Sequence, residues 1–335
     1  MKKNILVTGG CGFIGSHLVE KLATNNNYSV TALCFYNSSN SIGNMKFIPK
    51  KILKKIKIIF GDIRGEDIVH KVTSKQDIVI HLAALISIPY SYESPKSYVD
   101  TNVIGTLNVL NSCKINKVKK VIVTSTSEVY GTAQYVPIDE KHPLNAQSPY
   151  AASKIAADQL SLSFYRSFDL PLIVARPFNT FGPRQSSRAI IPTLITQMII
   201  NKNFIQVGNI STKRDFTFIE DTINGFVSLI NTSNIDGEVI NIAGGFELKI
   251  SQLIKLISKE LEIIKLKIFI DKKRIRPDKS EVFRLLASNK KLQRITKWEP
   301  HYYNQKQFKA AINKTIDWFK ENNELQDENV NKYNI

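Results

Sequence analysis

The sequence has little cysteine and no long apolar run. Its three cysteines, Cys11, Cys34 and Cys113, are scattered through 335 residues and show no metal-ligand spacing. We therefore expect reduced, structural cysteines and no metal site. No stretch reaches the roughly 18 consecutive apolar residues of a transmembrane helix. The apolar run near the N-terminus is short and ends in a glycine-rich turn, unlike a signal peptide. These absences predict a cytoplasmic protein with no membrane partner.

Acidic residues are scarce relative to basic ones. The chain has 46 Lys and Arg against 29 Asp and Glu, a formal charge of +17 and a pI of about 9.6. Such a charge can indicate a nucleic-acid surface. The lysines are diffuse, however, and the densest cluster, residues 46–57, alternates with isoleucine and phenylalanine like an ordinary amphipathic stretch. We therefore predict no nucleic-acid partner and assign part of the charge to an anionic substrate.

Apolar runs alternate with helical patterns in the first half of the chain. The predicted strands are 3–8, 28–33, 56–60, 77–82, 118–124 and 172–175. This alternation predicts an α/β fold, a Rossmann-like doubly wound parallel sheet. We also expect an ordered loop at 86–91 and a long helix at 95–116.

The composition changes after about residue 180, where loops marked by Pro, Arg and Gly separate short elements. We predict a dinucleotide-binding domain at 1–180, to which 215–245 returns. Residues 181–322 are expected to form a smaller α+β substrate-binding lobe. Residues 323–335 are polar and are expected to be disordered.

A glycine-rich turn separates the first strand from the first helix. Gly9, Gly12 and Gly15 follow the pattern G-x-x-G-x-x-G. Strand, glycine turn and helix form the context of a dinucleotide fingerprint, in which a pyrophosphate lies at the helix N-terminus. The predicted cofactor contacts are these glycines together with Phe13 and Ile14.

The end of the second strand leaves the type of cofactor open. An acidic residue there favours NAD and an arginine favours NADP, but residues 34–39 read Cys-Phe-Tyr-Asn-Ser-Ser. Asn37 or Ser38 is placed to bond the adenosine ribose. The residues themselves therefore fit either NAD or NADP.

Further candidate cofactor contacts follow the third and fourth strands. Asp62 is placed to bond the adenine, to cap the next helix, or both. Small residues after the fourth strand let a cofactor lie close, whereas His81, within that strand, is expected to be a core or loop histidine with satisfied polar atoms. The predicted contacts here are Asp62, Ile63, Leu82, Ala83 and Ala84.

The fifth strand leads into hydroxyls and a carboxylate, and a Tyr and a Lys follow downstream. Tyr150 and Lys154 are four residues apart, on a helix expected to start near Ser148-Pro149. Residues four apart share one face of a helix, so the ammonium of Lys154 can stabilise the phenolate of Tyr150. A hydroxyl, a phenol and an ammonium can move the proton of a sugar hydroxyl, and a carboxylate suggests a second proton transfer. The candidate catalytic residues are Thr126, Ser127, Glu128, Tyr150 and Lys154.

Taken in order, these motifs resemble an extended short-chain dehydrogenase/reductase that acts on nucleotide sugars, and the resemblance extends to about residue 320. Residues 36–41, 88–92 and 124–154 are most similar to NAD-dependent 4,6-dehydratases of legionaminic-type nonulosonic-acid pathways. Such enzymes act on a nucleotide-linked N-acetylglucosamine. The resemblance implies NAD, retained and recycled, and a homodimer formed through the helices at 95–116 and 149–168.

The resemblance also implies a mechanism. Tyr150 takes the proton of the sugar 4-hydroxyl, Lys154 lowers the phenol pKa and holds the nicotinamide ribose, and Thr126 bonds O4. Glu128 removes the C5 proton, and the product is a 4-keto-6-deoxy sugar. The dTDP-glucose dehydratases carry Asp-Glu where this chain has Ser127-Glu128, a pair similar to that of GDP-mannose dehydratases. Either Glu128 is both base and acid, or Ser127 relays a proton.

Substrate contacts implied by the resemblance include arginines, whose fork binds two phosphate oxygens. The implied set is Ser87, Asn179, Arg184, Arg214 and Arg276.

Two related activities are alternatives: a UDP-glucuronate decarboxylase, which also carries Thr-Ser-Glu, and a 4-epimerase, which usually has an uncharged residue in place of Glu128. A non-catalytic dinucleotide-binding regulator is an alternative of another class, against which the intact catalytic set argues.

Overall fold

The computed structural model describes residues 2–322, so the predicted tail at 323–335 lies outside the described residues. The strands are β1 Lys3–Thr8, β2 Tyr28–Cys34, β3 Ile56–Phe60, β4 Ile78–His81, β5 Lys120–Thr124, β6 Leu172–Pro177, β7 Thr180–Phe181, β8 Phe204–Val207, β9 Lys213–Asp215, β10 Thr217–Phe218, β11 Val239–Ile242, β12 Glu247–Lys249 and β13 Lys267–Ile270. The helices are α1 Phe13–Ala23, α2 Lys50–Leu53, α3 Glu66–Thr73, α4 Ile88–Glu93, α5 Pro95–Tyr98, α6 Gly105–Ile115, α7 Pro149–Phe168, α8 Ile190–Asn201, α9 Ile219–Asn231, α10 Ile250–Glu260, α11 Lys290–Thr296 and α12 Gln305–Glu321.

The main sheet has seven parallel strands in the order β11-β6-β5-β4-β1-β2-β3. This order confirms the predicted Rossmann-like doubly wound fold. The chain moves outward from β1 through β2 to β3 and then resumes on the other side of β1 with β4. Ligands of such sheets bind beyond the carboxyl ends of the strands, where the order reverses. The switch point here lies between β1 and β4.

Both faces of the sheet are covered, as the apolar strands require. Alternate residues of β1 point to opposite faces, so that Ile5 packs in one hydrophobic cluster and Leu6 in the other. The first cluster contains residues of α1 and α9, and the second contains residues of α3, α6 and α7. Helix α7, which carries the predicted Tyr-Lys pair, is therefore fixed on the face opposite α1.

The remaining elements form a smaller lobe beside the sheet. Strand β8 pairs with β13, and β9 pairs with β12. Phe308 of α12 lies against Phe181, Phe216 and Phe246, with ring centroids 5.2, 6.3 and 5.4 Å away. These rings belong to the same hydrophobic cluster as Ile5. The lobe and the sheet consequently share a core, and β11 returns the chain to the main sheet.

Two predicted elements differ in the structure. Residues 86–91 were expected to form an ordered loop, but α4 begins at Ile88, and Pro89 lies in its first turn, where a missing N–H costs nothing. The helix expected at 95–116 is divided into α5, a π-helical turn at Val99–Ile104, and α6.

None of the described helices is both long enough and apolar enough to cross a membrane.

Candidate active site

The glycine turn is built by close backbone approach at the switch point. Gly9 has φ +69°, and a Cβ there would lie 2.8 Å from the Ala83 nitrogen. A Cβ on Gly15 would lie 2.1 Å from the Gly9 oxygen. Helix α1 follows with Gly12 as its N-cap, no side-chain cap and no acidic residue in its first turn. Its first amides therefore suit an anion such as a pyrophosphate.

The neighbouring strand ends are joined by hydrogen bonds. His81 Nδ1 lies 2.8 Å from Thr8 Oγ1, and its Nε2 lies 3.1 Å from Thr106 Oγ1. Burial lowers the pKa of His81 to about 3, with Lys154 acting in the same direction. The expectation of a satisfied core histidine is confirmed. The Ala83 amide donates to Thr8 Oγ1 at 3.2 Å, which holds the small residues after β4 beside the glycine turn.

The predicted ribose and adenine contacts take part in local turns. Asn37 Oδ1 accepts from the Ser41 amide at 2.7 Å, and its Nδ2 donates to the Phe35 carbonyl at 3.1 Å. Asp62 is paired with Arg64, and the N-cap of α3 is Gly65 rather than Asp62. The capping role considered for Asp62 is therefore wrong. Its adenine contact, and the ribose contact of Asn37 or Ser38, stay predictions.

Other predicted cofactor residues are parts of the core around this edge. Phe13 and Ile14 open α1 and pack against the first hydrophobic cluster. Ile63 is buried, and the Asn108 side chain donates to its carbonyl at 3.0 Å. A cofactor contact by these three residues stays a prediction.

The structure brings Thr126, Tyr150 and Lys154 together. Helix α7 begins at the N-cap Ser148, whose Oγ accepts from the Ala151 amide at 3.1 Å, so that Tyr150 and Lys154 lie in its first turns. Lys154 Nζ donates to the Thr124 carbonyl at 2.6 Å. The Thr126 hydroxyl is hydrogen-bonded to the Tyr150 phenol. The strand end and the helix thus meet at this triad.

Burial opposes charge on both titrating groups of the triad. Burial raises the pKa of the Tyr150 phenol well above its usual value and the Glu128 charge raises it further, whereas the hydrogen bond to Thr126 lowers it. Burial lowers the pKa of Lys154 to about 8, and Asp158 opposes that change. Lys154 is therefore still mainly charged near pH 7 and can stabilise a phenolate beside it.

Glu128 lies in a 3₁₀ turn, Ser127–Tyr130, directly after the strand end. Thr126 is the N-cap of this turn, and its Oγ1 accepts from the Glu128 amide at 3.2 Å. Ser127 and Glu128 are buried. Arg276 Nη1 lies 3.7 Å from Glu128 Oε2. The carboxylate predicted to act as the base therefore lies beside the triad and faces a cation from the smaller lobe.

A second arginine lies near the first. Arg214 is buried, its Nη2 lies 3.5 Å from Glu281 Oε1, and the charges of Glu128 and Arg276 both act on it. Asn179 donates weakly, at 3.4 Å, to the carbonyl of Asp215. Arg214 and Arg276 thus both interact electrostatically with Glu128, a suitable arrangement for an anionic substrate, and Asn179 contacts the residue that follows Arg214.

Arg184 and Ser87 are placed differently. Arg184 Nη2 lies 2.6 Å from Glu20 Oε2 of α1, so this arginine is paired on the glycine-turn side rather than grouped with Arg214 and Arg276. Ser87 is the N-cap of α4, and its carbonyl accepts from the Tyr98 hydroxyl. A substrate contact by either residue stays a prediction.

Several buried residues that support the site were not singled out from the sequence as site residues. Asn102, in the π-helical turn, bonds both the amide and the carbonyl of Leu85 at 2.9 Å and donates to Ser153 Oγ at 2.9 Å. The Tyr98 ring packs edge-on against Tyr150, with centroids 6.1 Å apart. A buried asparagine within a helical pattern was the available indication, because its amide requires partners.

Comparisons with known proteins agree with this geometry. The model of the GDP-mannose 4,6 dehydratase family matches residues 6–311. A putative UDP-glucose 4-epimerase of Methanocaldococcus jannaschii is 32% identical over 324 residues, covering 95% of this chain and 99% of that protein. The human dTDP-D-glucose 4,6-dehydratase is 30% identical over 327 residues, covering 96% of this chain and 91% of that protein.

Solved structures give the same result. DesIV, the dTDP-glucose 4,6-dehydratase of Streptomyces venezuelae solved with NAD bound, superposes with a TM-score of 0.84 and 25% identity, covering 97% of this chain and 99% of that one. The UDP-N-acetylglucosamine 4-epimerase of Methanobrevibacter ruminantium, in complex with UDP-N-acetylmuramic acid, has a TM-score of 0.84 and 32% identity. The match covers 96% of this chain and 100% of that one. This protein therefore belongs to the GDP-mannose 4,6-dehydratase family, within the extended short-chain dehydrogenase/reductases, among relatives that are nucleotide-sugar dehydratases and epimerases.

Proposed function

We propose that the protein is a nucleotide-sugar 4,6-dehydratase that converts a nucleotide-linked N-acetylglucosamine to its 4-keto-6-deoxy form. The observation that carries this proposal is the buried Glu128 beside Thr126 and Tyr150. Among the protein's own groups, oxidation at C4 by the cofactor requires only the triad, whereas elimination of water also requires a base for the C5 proton. Glu128 is the acidic side chain that acts electrostatically on Tyr150 from within the turn.

Tyr150, Lys154 and Thr126 act on the proton of the sugar 4-hydroxyl. The phenolate of Tyr150 takes that proton, the charge of Lys154 stabilises the phenolate, and Thr126 holds O4. Glu128 then takes the C5 proton of the 4-keto sugar. The proton for the departing 6-hydroxyl comes from Glu128 itself or through Ser127, which is buried next to it.

NAD is the proposed cofactor; when bound, it would supply the hydride acceptor for oxidation at C4 and the hydride donor for reduction at C6. The residues that would hold it are the glycine turn, the residues after β4, Asp62-Ile63 and the loop after β2. Residues 35–44 contain neither Lys nor Arg, so this loop offers no cation for the 2′-phosphate of NADP. Structural neighbours such as DesIV were solved with NAD.

The substrate is a nucleoside-diphosphate sugar. Arg214 and Arg276 supply the cations for the diphosphate, and Asn179, which bonds the carbonyl of Asp215, is a further proposed contact. N-acetylglucosamine as the sugar rests on the likeness of three sequence stretches to legionaminic-type dehydratases, and we place the protein in a nonulosonic-acid pathway for the same reason. The similarity to a UDP-N-acetylglucosamine 4-epimerase supports a nucleotide-linked amino sugar.

We further propose a cytoplasmic homodimer formed through the helices at 95–116 and 149–168. These helices expose apolar side chains that a monomer leaves in water. They are Val99, Ile104, Ile115, Tyr165 and Phe168. Such a face suits a four-helix interface between two copies.

Incubation with UDP- and GDP-N-acetylglucosamine, followed by NMR, tests the proposed reaction. A new C6 methyl together with a keto or hydrated C4 is the expected result. The epimerases among the relatives and structural neighbours make 4-epimerisation the second candidate. Inversion at C4 without a methyl would establish the epimerase, and loss of carbon dioxide from UDP-glucuronate would establish the decarboxylase.

A further inference from the structure

A buried ion pair lies directly behind the triad and takes no part in the steps proposed above. Arg176 of β6 donates from Nε and Nη2 to Asp158 Oδ2 of α7 at 3.0 and 2.9 Å, and the two side chains are 3% and 0% exposed. Buried pairs often stabilise a fold no better than apolar residues of the same volume. The other partners of this pair indicate a different role.

Each member of the pair holds one end of the catalytic segment. Ser125 Oγ donates to Asp158 Oδ2 at 2.9 Å. Arg176 Nη1 donates to the Tyr130 hydroxyl at 2.9 Å, and that hydroxyl donates to Asn241 Oδ1 of β11 at 2.8 Å. The four residues between these two anchors are Thr126, Ser127, Glu128 and Val129, and they include the hydroxyl of the triad and the proposed base.

The same carboxylate acts on Lys154. Asp158 is one helical turn further along α7, on the same face as Lys154. Its negative charge favours the charged ammonium and so raises the pKa of Lys154 against the effect of burial. The titratable groups acting on the Tyr150–Lys154 pair or acted on by it, besides Asp158, are His81 on β4, Tyr98 on α5 and Glu128 in the turn.

We propose that the Asp158–Arg176 pair is a positioning element that fixes the Glu128 turn relative to Tyr150 and Lys154, so that C5 deprotonation follows C4 oxidation in one pocket. Both residues act through Ser125, Tyr130 and Lys154 rather than on the reacting atoms. The part of this proposal that concerns elimination rests on the proposed dehydratase function. The anchoring and the charge effect do not depend on it.

The variant Tyr130→Phe removes one anchor and leaves the ion pair intact. We expect C4 oxidation within about twofold of wild type and elimination slowed by about 10- to 100-fold, because small misplacements of a catalytic group have costs of this size. Reduced cofactor should therefore accumulate after mixing with substrate, and amide exchange in residues 125–130 should accelerate. The matched control is Tyr302→Phe, whose hydroxyl bonds Glu220 and Lys314 at the surface, and it should match wild type in every readout.

The variant Arg176→Lys tests the same anchor from the other side. It keeps the charge of the pair but lacks the planar fork that reaches both Asp158 and Tyr130. It should therefore reproduce the Tyr130→Phe pattern. Equal slowing of oxidation and elimination in both variants, or unchanged amide exchange in residues 125–130, would overturn the anchoring role.

The variant Asp158→Asn removes the charge but keeps an oxygen that can accept from Ser125 and Arg176. The pKa of Lys154 should then fall by about one unit further, and the alkaline limb of C4 oxidation should move to lower pH. NMR titration of ¹³C-lysine-labelled protein, with Lys154→Gln for assignment, measures this without turnover. An unchanged Lys154 titration would refute the charge effect.

These readouts separate the two proposals. If wild type only inverts C4 or only decarboxylates, the dehydratase function fails. The amide exchange and the lysine titration still decide the role of the ion pair.

Discussion

Glu128 is the residue on which the assignment of the reaction depends. Its turn places it beside the Tyr150 phenol, and Arg276 faces it at 3.7 Å. The same cation is also a proposed ligand of the substrate diphosphate, so base and substrate site share one electrostatic environment.

Replacing Glu128 with Gln should abolish elimination while a slow C4 oxidation persists. A positioned general base contributes about 10²- to 10⁴-fold, and the amide cannot take the C5 proton. Stopped-flow absorbance of the reduced nicotinamide and NMR of the product measure the two steps separately. Glu260→Gln is the matched control, since Glu260 bonds Asn313 and Lys309 in the smaller lobe. Product formation by Glu128→Gln at the wild-type rate would remove Glu128 from the mechanism.

Helix α7 is the element that unites the catalytic groups. Tyr150, Lys154 and Asp158 recur every four residues and share one face. The Tyr-Lys pair, the cap at Ser148 and the proline after it lie close together in the chain, so the sequence predicted them correctly. Helix caps and pairs on one helix face depend on residues that are close in the sequence.

Contacts between distant segments could not be predicted in this way. The pairs Asp158–Arg176 and Arg276–Glu128 join different elements, and their formation depends on how β6 and the smaller lobe pack. Strand β13, whose four residues are all exposed, was not predicted, although Ile268, Phe269 and Ile270 are residue types common in strands. The stretch 86–91 was predicted to be an ordered loop, although a proline such as Pro89 suits the first turn of a helix.

The cap of α7 should have a measurable effect on stability. Ser148→Ala removes the hydrogen bond to the Ala151 amide and should lower the free energy of unfolding by about 1 kcal/mol. Ser163→Ala, on the same helix, removes only an exposed bond to the Leu160 carbonyl and should have little effect. Urea denaturation of both variants measures the difference. An equal loss in the two would mean that the cap does not stabilise α7.

At the scale of the whole molecule, the parallel sheet brings the strand ends to one edge. The glycine turn follows β1, Thr126 and the Glu128 turn follow β5, and Tyr150 and Lys154 lie in the first turns of α7. The smaller lobe adds Arg214 and Arg276. The sequence predicted this convergence because the carboxyl ends of parallel strands share an edge. It did not show which of its many cations would face that edge.

The pH dependence of stability should reflect the buried histidines. Burial lowers the pKa of His81 to about 3 and that of His17 to about 4, so the unfolded chain binds protons at higher pH than the folded protein. The contribution of these two histidines to stability should therefore be complete above about pH 6.5 and fall as the pH decreases toward these values. Urea denaturation at several pH values measures the slope. His81→Asn should reduce it, and an unchanged slope would show that His81 does not carry this dependence.

The dimer face gives a separate prediction. The double substitution Tyr165→Glu and Phe168→Glu places charges on the exposed apolar face of α7 and should convert the protein to a monomer in sedimentation analysis. Phe269→Glu, on exposed β13, serves as the control and should leave the dimer intact. A dimer in the double variant, or a monomeric wild type, would contradict the proposed interface.

Tracing the C4 hydrogen of the substrate tests the central claim most directly. Incubation with UDP-N-acetylglucosamine, or its GDP counterpart, carrying deuterium at C4 should yield a 4-keto-6-deoxy sugar whose deuterium lies in the C6 methyl group, as read by mass spectrometry and NMR. This outcome requires oxidation, elimination and return of the hydride within one active site. Deuterium that returns to C4 of an epimerised sugar, with no methyl group formed, would contradict the account.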